Sequence, residues 1–144
     1  MIDLKPDYGV ICIGFNDVWR YFDEPSLFEY QVSLEQYRAN LVEMVKRMKT
    51  AGIKPMFMTP YYVEANKQDA MRVMMESFRD AMKSVATEFD IPILDLQPKF
   101  DELLKYRYPA YVTWDRIHPN HPGSMLIAVE FLKFIGFDFD RLKK

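Results

Sequence analysis

The residues richest in chemical potential cluster late in the sequence, in Trp114-Asp115-Arg116-Ile117-His118-Pro119-Asn120-His121-Pro122-Gly123. Asp115 stands three positions before His118. A carboxylate held beside an imidazole fixes the tautomer of the ring and stabilises its charged form. The pair would make His118 a general base and Asp115 its orienting partner. The chain has only two histidines; the D-x-x-H spacing singles out His118, while Pro122 at a first helical turn makes His121 the start of a helix. Asp115, His118 and His121 are also residue types that hold zinc, which would make a metal-dependent hydrolase. The prolines after both histidines keep these three from sharing a helical face. The plainest alternative is a surface turn whose histidine caps a helix. A second group lies near the start, at Gly14-Phe15-Asn16-Asp17. Glycine allows a sharp turn there, and a carboxamide just beyond a strand can donate a hydrogen bond to a developing oxyanion. Alternatively, Asn16 or Asp17 caps a turn formed by Val18-Trp19-Arg20.

Alternating short apolar runs and longer amphipathic ones position these groups. Tyr8–Ile13, Lys54–Thr59 and Ile91–Leu96 read as buried strands. Ser33–Ala51 reads as a helix with Leu34, Tyr37, Leu41, Met44, Val45 and Met48 on one face, a Ser33/Gln36 capping box and Gly52 at its end. Asn66–Glu88 reads as a second helix, with Ala70, Val73, Met74, Ala81, Met82 and Val85 facing inward. A short helix is expected from Pro98 to about Tyr106, and a last one from His121 through Phe134, ended by Gly136. The order β-α-β-α-β-α-α implies parallel strands joined by right-handed crossovers. Strands apolar on both faces imply helices on both sides of the sheet. Ligands bind beyond the carboxyl ends of such strands, which directs attention to Gly14–Asp17, Thr59–Tyr62, Asp95–Gln97 and the loop before the last helix.

Composition narrows the class. A chain of 144 residues, 49% hydrophobic and 15% aromatic, suits one domain over 1–144 with a real core. With 19 basic and 21 acidic residues interspersed and a net charge of −2, nothing points to nucleic acid or to an anionic membrane surface. No apolar stretch reaches the length of a membrane span, and Met1–Asp7 is short and polar, unlike a signal peptide. A single cysteine, Cys12, forms no internal disulfide and fits a reducing compartment, so a cytoplasmic protein is expected; within Val10-Ile11-Cys12-Ile13 it reads as a small buried hydrophobe.

The G-x-N-D after the first strand, the M-x-x-T-P of Met56–Pro60, the I-P-x-x-D-L of Ile91–Leu96 and the D-x-x-H-P of Asp115–Pro119 resemble, in that order, the SGNH (GDSL-type) ester hydrolases. Leu4-Lys5-Pro6-Asp7 is similar to the usual lead-in of that family, and the likeness runs from about Leu4 to about Gly136. It implies a three-layer α/β/α, flavodoxin-like fold, here reduced to about three parallel strands. It also implies Asn16 as an oxyanion-hole donor with Gly14 and Asp17 in support, His118 as general base and Asp115 as its partner. The implied reaction is hydrolysis of a small ester through an acyl-serine, with neither metal nor organic cofactor. The stretch Trp114–Pro119 is similar to the carbohydrate-esterase branches, which makes acetylated carbohydrate the preferred substrate; lysophospholipids, thioesters and simple esters stay open. Trp19, Tyr21, Phe22, Tyr61, Tyr62, Tyr108, Tyr111 and Trp114 fall in or near expected loops, where they would line a sugar or acyl wall or, more plainly, cover the core.

The nucleophilic serine of the family, in a Gly-Asp-Ser motif on an earlier strand, has no counterpart here. The chain contains Ser26, Ser33, Ser77, Ser84 and Ser124, and none follows a strand in a Gly-Asp context. The expectation is therefore an N-terminally shortened member, feeble or inactive alone because losing one triad member costs several orders of magnitude. The alternative is a non-catalytic remnant or binding module. Without the serine-bearing strand, Tyr8–Ile13 would be an exposed apolar edge, and two copies are expected to pair along it as a homodimer.

Overall fold

The computed structural model of the chain describes residues 2–140, except the side chain of Tyr30. Three strands, β1 (Tyr8–Ile11), β2 (Lys54–Met58) and β3 (Ile93–Leu94), form one parallel sheet in the order β1-β2-β3. Tyr8 pairs with Lys54 and Ile11 with Phe57, while Phe57 and Met58 pair with Ile93 and Leu94. Around the sheet lie α1 (Phe15–Asp23), α2 (Leu34–Thr50), α3 (Ala70–Phe89), α4 (Gln97–Leu104) and α5 (His121–Phe134), with short 3-10 turns at Ile2–Leu4, Phe28–Tyr30 and Pro109–Tyr111. Side chains alternate across a strand, so the sheet feeds two cores. Ile11 and Phe57 join Val18 of α1, Tyr37, Leu41, Val45 and Met48 of α2, and Met75, Phe78 and Met82 of α3. On the other face Leu94 and Leu96 join Phe100 of α4 and Val112, with Leu126, Ile127 and Phe131 of α5 packed against them. The expected helix–sheet–helix layering is thus present.

Several boundaries differ from expectation. β1 ends at Ile11 and not Ile13, because its partner register ends at Ile11 opposite Phe57. β3 keeps only two residues of the expected six. An additional helix, α1, replaces the turn expected at Val18-Trp19-Arg20, so Trp19, Tyr21 and Phe22 are helical and not in a loop. α2 follows half of its capping box: Ser33 Oγ accepts the Gln36 N–H at 3.1 Å, while the Gln36 carboxamide donates to Asn40 Oδ1 at 2.8 Å. Its apolar stripe is narrower than expected, since Leu34 and Met44 are exposed. α3 starts at Ala70, where Asp69 accepts the Arg72 N–H at 3.0 Å, and not at Asn66. Its buried stripe is Met71, Met75, Phe78, Met82 and Val85, and Val73 is half exposed. Phe78 sets that phase, because the largest apolar side chain gains most from burial. α5 has the expected bounds, with Asn120 Oδ1 accepting the Gly123 N–H at 3.2 Å. Cys12, expected to be buried, is exposed; it lies just past the end of the edge strand.

Candidate active site

The site is assembled at the carboxyl ends of the strands. β1 leads into Gly14, whose φ of +117° is open to glycine but strained for other residues. A Cβ at Gly14 would lie 3.0 Å from the Tyr37 hydroxyl and 3.1 Å from Pro60 Cγ. Both constraints act together: the backbone must turn there, and it must pass close to α2 and the loop after β2. The turn starts α1 at Phe15 without a side-chain cap. Asn16 and Asp17 are therefore first-turn residues and not caps. Asn16 is exposed, and its carboxamide makes no side-chain hydrogen bond among the described residues. Asp17 is half-buried; burial pushes its carboxyl above the ordinary range, against its own backbone hydrogen bond.

The second half of the site is the loop from Val112 to Asn120. Thr113 and Pro119 bridge antiparallel, and the Trp114 N–H donates to the His118 carbonyl at 2.9 Å. Inside this closed loop the two oxygens of Asp115 divide their work. Oδ1 accepts the N–H groups of Ile117 at 3.0 Å and His118 at 2.8 Å, and Oδ2 lies 2.7 Å from His118 Nδ1. Burial tends to raise the Asp115 carboxyl, but these N–H groups outweigh it and hold the carboxyl below its ordinary range. With Nδ1 occupied, Nε2 is the free nitrogen of the ring. His118 and Asp115 side chains are 53% and 42% exposed, so the pair is open to a substrate.

The two halves meet. The Trp19 ring of α1 packs edge-on against the His118 ring, with centroids 5.4 Å apart and planes at 67°. Trp19 follows Asn16 by three residues, so both lie on one face of α1. His121 does not join the pair; it opens α5. Among the described residues no group of three or more His, Cys, Asp and Glu side chains converges as a metal site requires.

Other residues of the site carried no signal legible in the sequence. Arg116 is left-handed, with φ +72°, a conformation that persists only where surrounding contacts enforce it. Those contacts are the Val63 N–H on its carbonyl at 2.9 Å, Glu64 Oε2 at 2.8 Å from its guanidinium, and the Tyr62 ring 5.2 Å below. Arg72, 1% exposed, donates to Asp101, Glu76 and the carbonyl of Glu64. Gly123 packs so tightly against the loop that a Cβ there would lie 2.0 Å from the Val112 carbonyl oxygen. Of the expected aromatic wall, Tyr61 and Tyr62 are buried, while Tyr108, Tyr111 and Trp114 are exposed.

The chain matches the GDSL-like Lipase/Acylhydrolase family over residues 1–126. It is 42% identical over 141 residues to an acetylxylan esterase of Geobacillus stearothermophilus, a stretch that makes up 98% of this chain and 64% of that protein. The chain thus spans just under two thirds of the length of that relative. A crystal structure of the Geobacillus enzyme superposes with a TM-score of 0.92 at 42% identity, covering 96% of this chain and 63% of the other. An alpha/beta hydrolase enzyme from the metagenome of Lake Arreo superposes with a TM-score of 0.91 at 41% identity, covering 95% and 63%. The Geobacillus enzyme has also been solved as catalytic mutants, in which a serine, an aspartate and a histidine are each replaced by alanine; that aspartate precedes that histidine by three positions.

Proposed function

The chain belongs to the GDSL-like lipase/acylhydrolase family, and from that membership we propose that it carries the base and oxyanion-binding part of a serine ester hydrolase acting on acetylated carbohydrate. The carrying observation is the Asp115–His118 pair at 2.7 Å, its imidazole packed on the helix that presents the unbonded Asn16 carboxamide. The D-x-x-H spacing equals that of the aspartate and histidine changed in the Geobacillus catalytic mutants. That enzyme is also described as an acetyl-xylooligosaccharide esterase, which supports acetyl groups on a sugar as the substrate class.

In this reading a serine hydroxyl attacks the acetyl carbonyl carbon while His118 Nε2 takes its proton. Asp115 holds the ring and stabilises the imidazolium. The carbonyl oxygen gains the negative charge and accepts a hydrogen bond from Asn16. Collapse expels the sugar oxygen, which takes the proton from His118, and leaves an acetyl-serine. Water, deprotonated by His118, then releases acetate and restores the serine.

We infer that none of the five serines of these 144 residues makes that attack. Ser26 lies in an exposed turn, Ser33 caps α2, Ser77 donates to the Val73 carbonyl, Ser84 is on the surface of α3, and Ser124 lies in the first turn of α5. We infer that these residues by themselves hydrolyse esters feebly or not at all.

The test grafts this chain in place of the matching portion of the Geobacillus esterase and follows acetate release from acetylated xylo-oligosaccharides. The graft is expected to be active, and His118→Ala in it to lower kcat by roughly a thousandfold or more. A folded graft whose residual activity ignores His118→Ala would sink the assignment.

A further inference from the structure

We infer that Tyr61 is a positioning residue, a single rigid side chain that sets the separation between the Asn16 and His118 ends of the site. The inference rests on the reading above, in which those two groups serve one acyl group. Tyr61 is 3% exposed and lies three residues beyond the end of β2. Its ring meets Phe15 edge-on, with centroids 4.9 Å apart and planes at 76°; Phe15 is covalently next to Asn16. Its hydroxyl donates to the Ile117 carbonyl at 3.1 Å; Ile117 is covalently next to His118. Phe100 of α4 lies against the same ring, with centroids 4.3 Å apart. An aromatic side chain has only two rotatable bonds, and the contacts with Phe15 and Phe100 and the bond to Ile117 bear on both. Burial pushes the phenol well above its ordinary range, so it stays a donor.

The chain beyond Tyr61 is fixed from behind. Gln97, 1% exposed, accepts the Tyr62 N–H at 2.8 Å and donates to the Tyr62 carbonyl at 3.2 Å. Arg72 holds the Glu64 carbonyl at 2.9 Å. From that anchored segment Val63 grips Arg116, as Tyr61 grips Ile117. The ring and the hydroxyl of Tyr61 therefore have separable effects: the hydroxyl reaches only the His118 end, and the ring supports the Asn16 end.

The experiment is nitrogen-15 NMR on the 144-residue chain at low temperature, reading exchange of the His118 Nδ1–H and the shifts of the Asn16 carboxamide. His121 and the far-UV circular dichroism serve as controls. Tyr61→Phe is expected to speed His118 Nδ1–H exchange roughly fivefold, the loss of one hydrogen bond, and to leave Asn16 unmoved. Phe15→Leu is expected to move Asn16 and leave His118, and Tyr61→Leu to move both. Should Tyr61→Leu fail to fold, the other two variants decide alone. An unchanged His118 in Tyr61→Phe overturns the inference, as does an equal effect on His118 and His121. No signal here depends on turnover, so an inactive graft would sink the esterase reading without touching this result.

Discussion

At the scale of single residues, Asp115 is unusual in spending both oxygens within its own loop. One oxygen shapes the backbone at Ile117 and His118, and the other holds the imidazole. Positioning and electrostatics thus come from one side chain, which places its partner three residues later for local reasons. Asp17 is the opposite case. It sits in the first turn of α1, where the helix dipole favours a negative charge, yet burial raises its carboxyl. A carboxyl whose folded value is raised stabilises the fold fully only below its unfolded value of about 3.9, and that contribution is lost as pH rises through the folded value. Asp17→Asn is therefore expected to raise the melting temperature at pH 7, with the difference shrinking towards pH 3. Thermal melts at both pH values check this; a variant that melts lower at pH 7 would show that the carboxylate makes a favourable contact outweighing its desolvation.

At the scale of elements, the site depends on how α3 and α5 abut its two loops. Arg72 is buried in α3 because it has acceptors on every side: Asp101 in both oxygens, Glu76 one turn on, and the Glu64 carbonyl. These bonds tie α3 and α4 to the segment that carries Tyr61. α5 docks through Gly123, where helix and loop backbones approach too closely for any side chain. Replacing Gly123 by alanine must displace a backbone carbonyl, not a flexible side-chain tip. The expected cost is about 3 kcal/mol, the upper end for overpacking, read as a lower urea midpoint with an unchanged slope. Ser124→Ala, at the adjacent exposed position, is expected to leave the midpoint in place. Equal midpoints for Gly123→Ala and the parent would mean that α5 has room the packing denies.

At the scale of the molecule, the three-stranded sheet has β1 and the two-residue β3 as its edges. β1 is the longer of the two, and Tyr8 is 56% exposed at the start of it. Beside that strand lie two cavities against α5, one lined by Tyr8, Met56, Phe131 and Phe134 and the other by Val10, Met58, Ile127 and Phe131. Among the described residues no helix is long and apolar enough to cross a membrane. Unpaired strand edges with apolar flanks template pairing with another chain, and we propose that two copies associate along β1. Sedimentation at micromolar concentration should give a dimer that Val10→Lys dissociates; a monomer throughout the concentration range would remove the proposal.

Local chemistry was legible in the sequence. The D-x-x-H of Asp115 and His118, the Ser33 cap, the bounds of α5 and the G-x-N-D turn each depend on residues within a few positions of one another, and the β/α order is the succession of such local signals. Propensity, capping and short-range hydrogen bonding act over just that span. The phase of α3, the burial of Arg72 and the shortness of β3 were not legible. Each is decided by groups distant in sequence: the core position that Phe78 fills, the carboxylate of Asp101, and the strand available to pair. The α1 helix was missed for a related reason. Its first turn lacks a side-chain cap, and it is held in place by Trp19 on His118, ninety-nine positions away. The sequence by itself therefore determined which residues could act as base, partner and oxyanion donor. Only tertiary structure decided that the helix carrying Asn16 packs on His118 through Trp19 and that Tyr61 touches both Phe15 and Ile117, contacts that exist only after the sheet has brought its strand ends together.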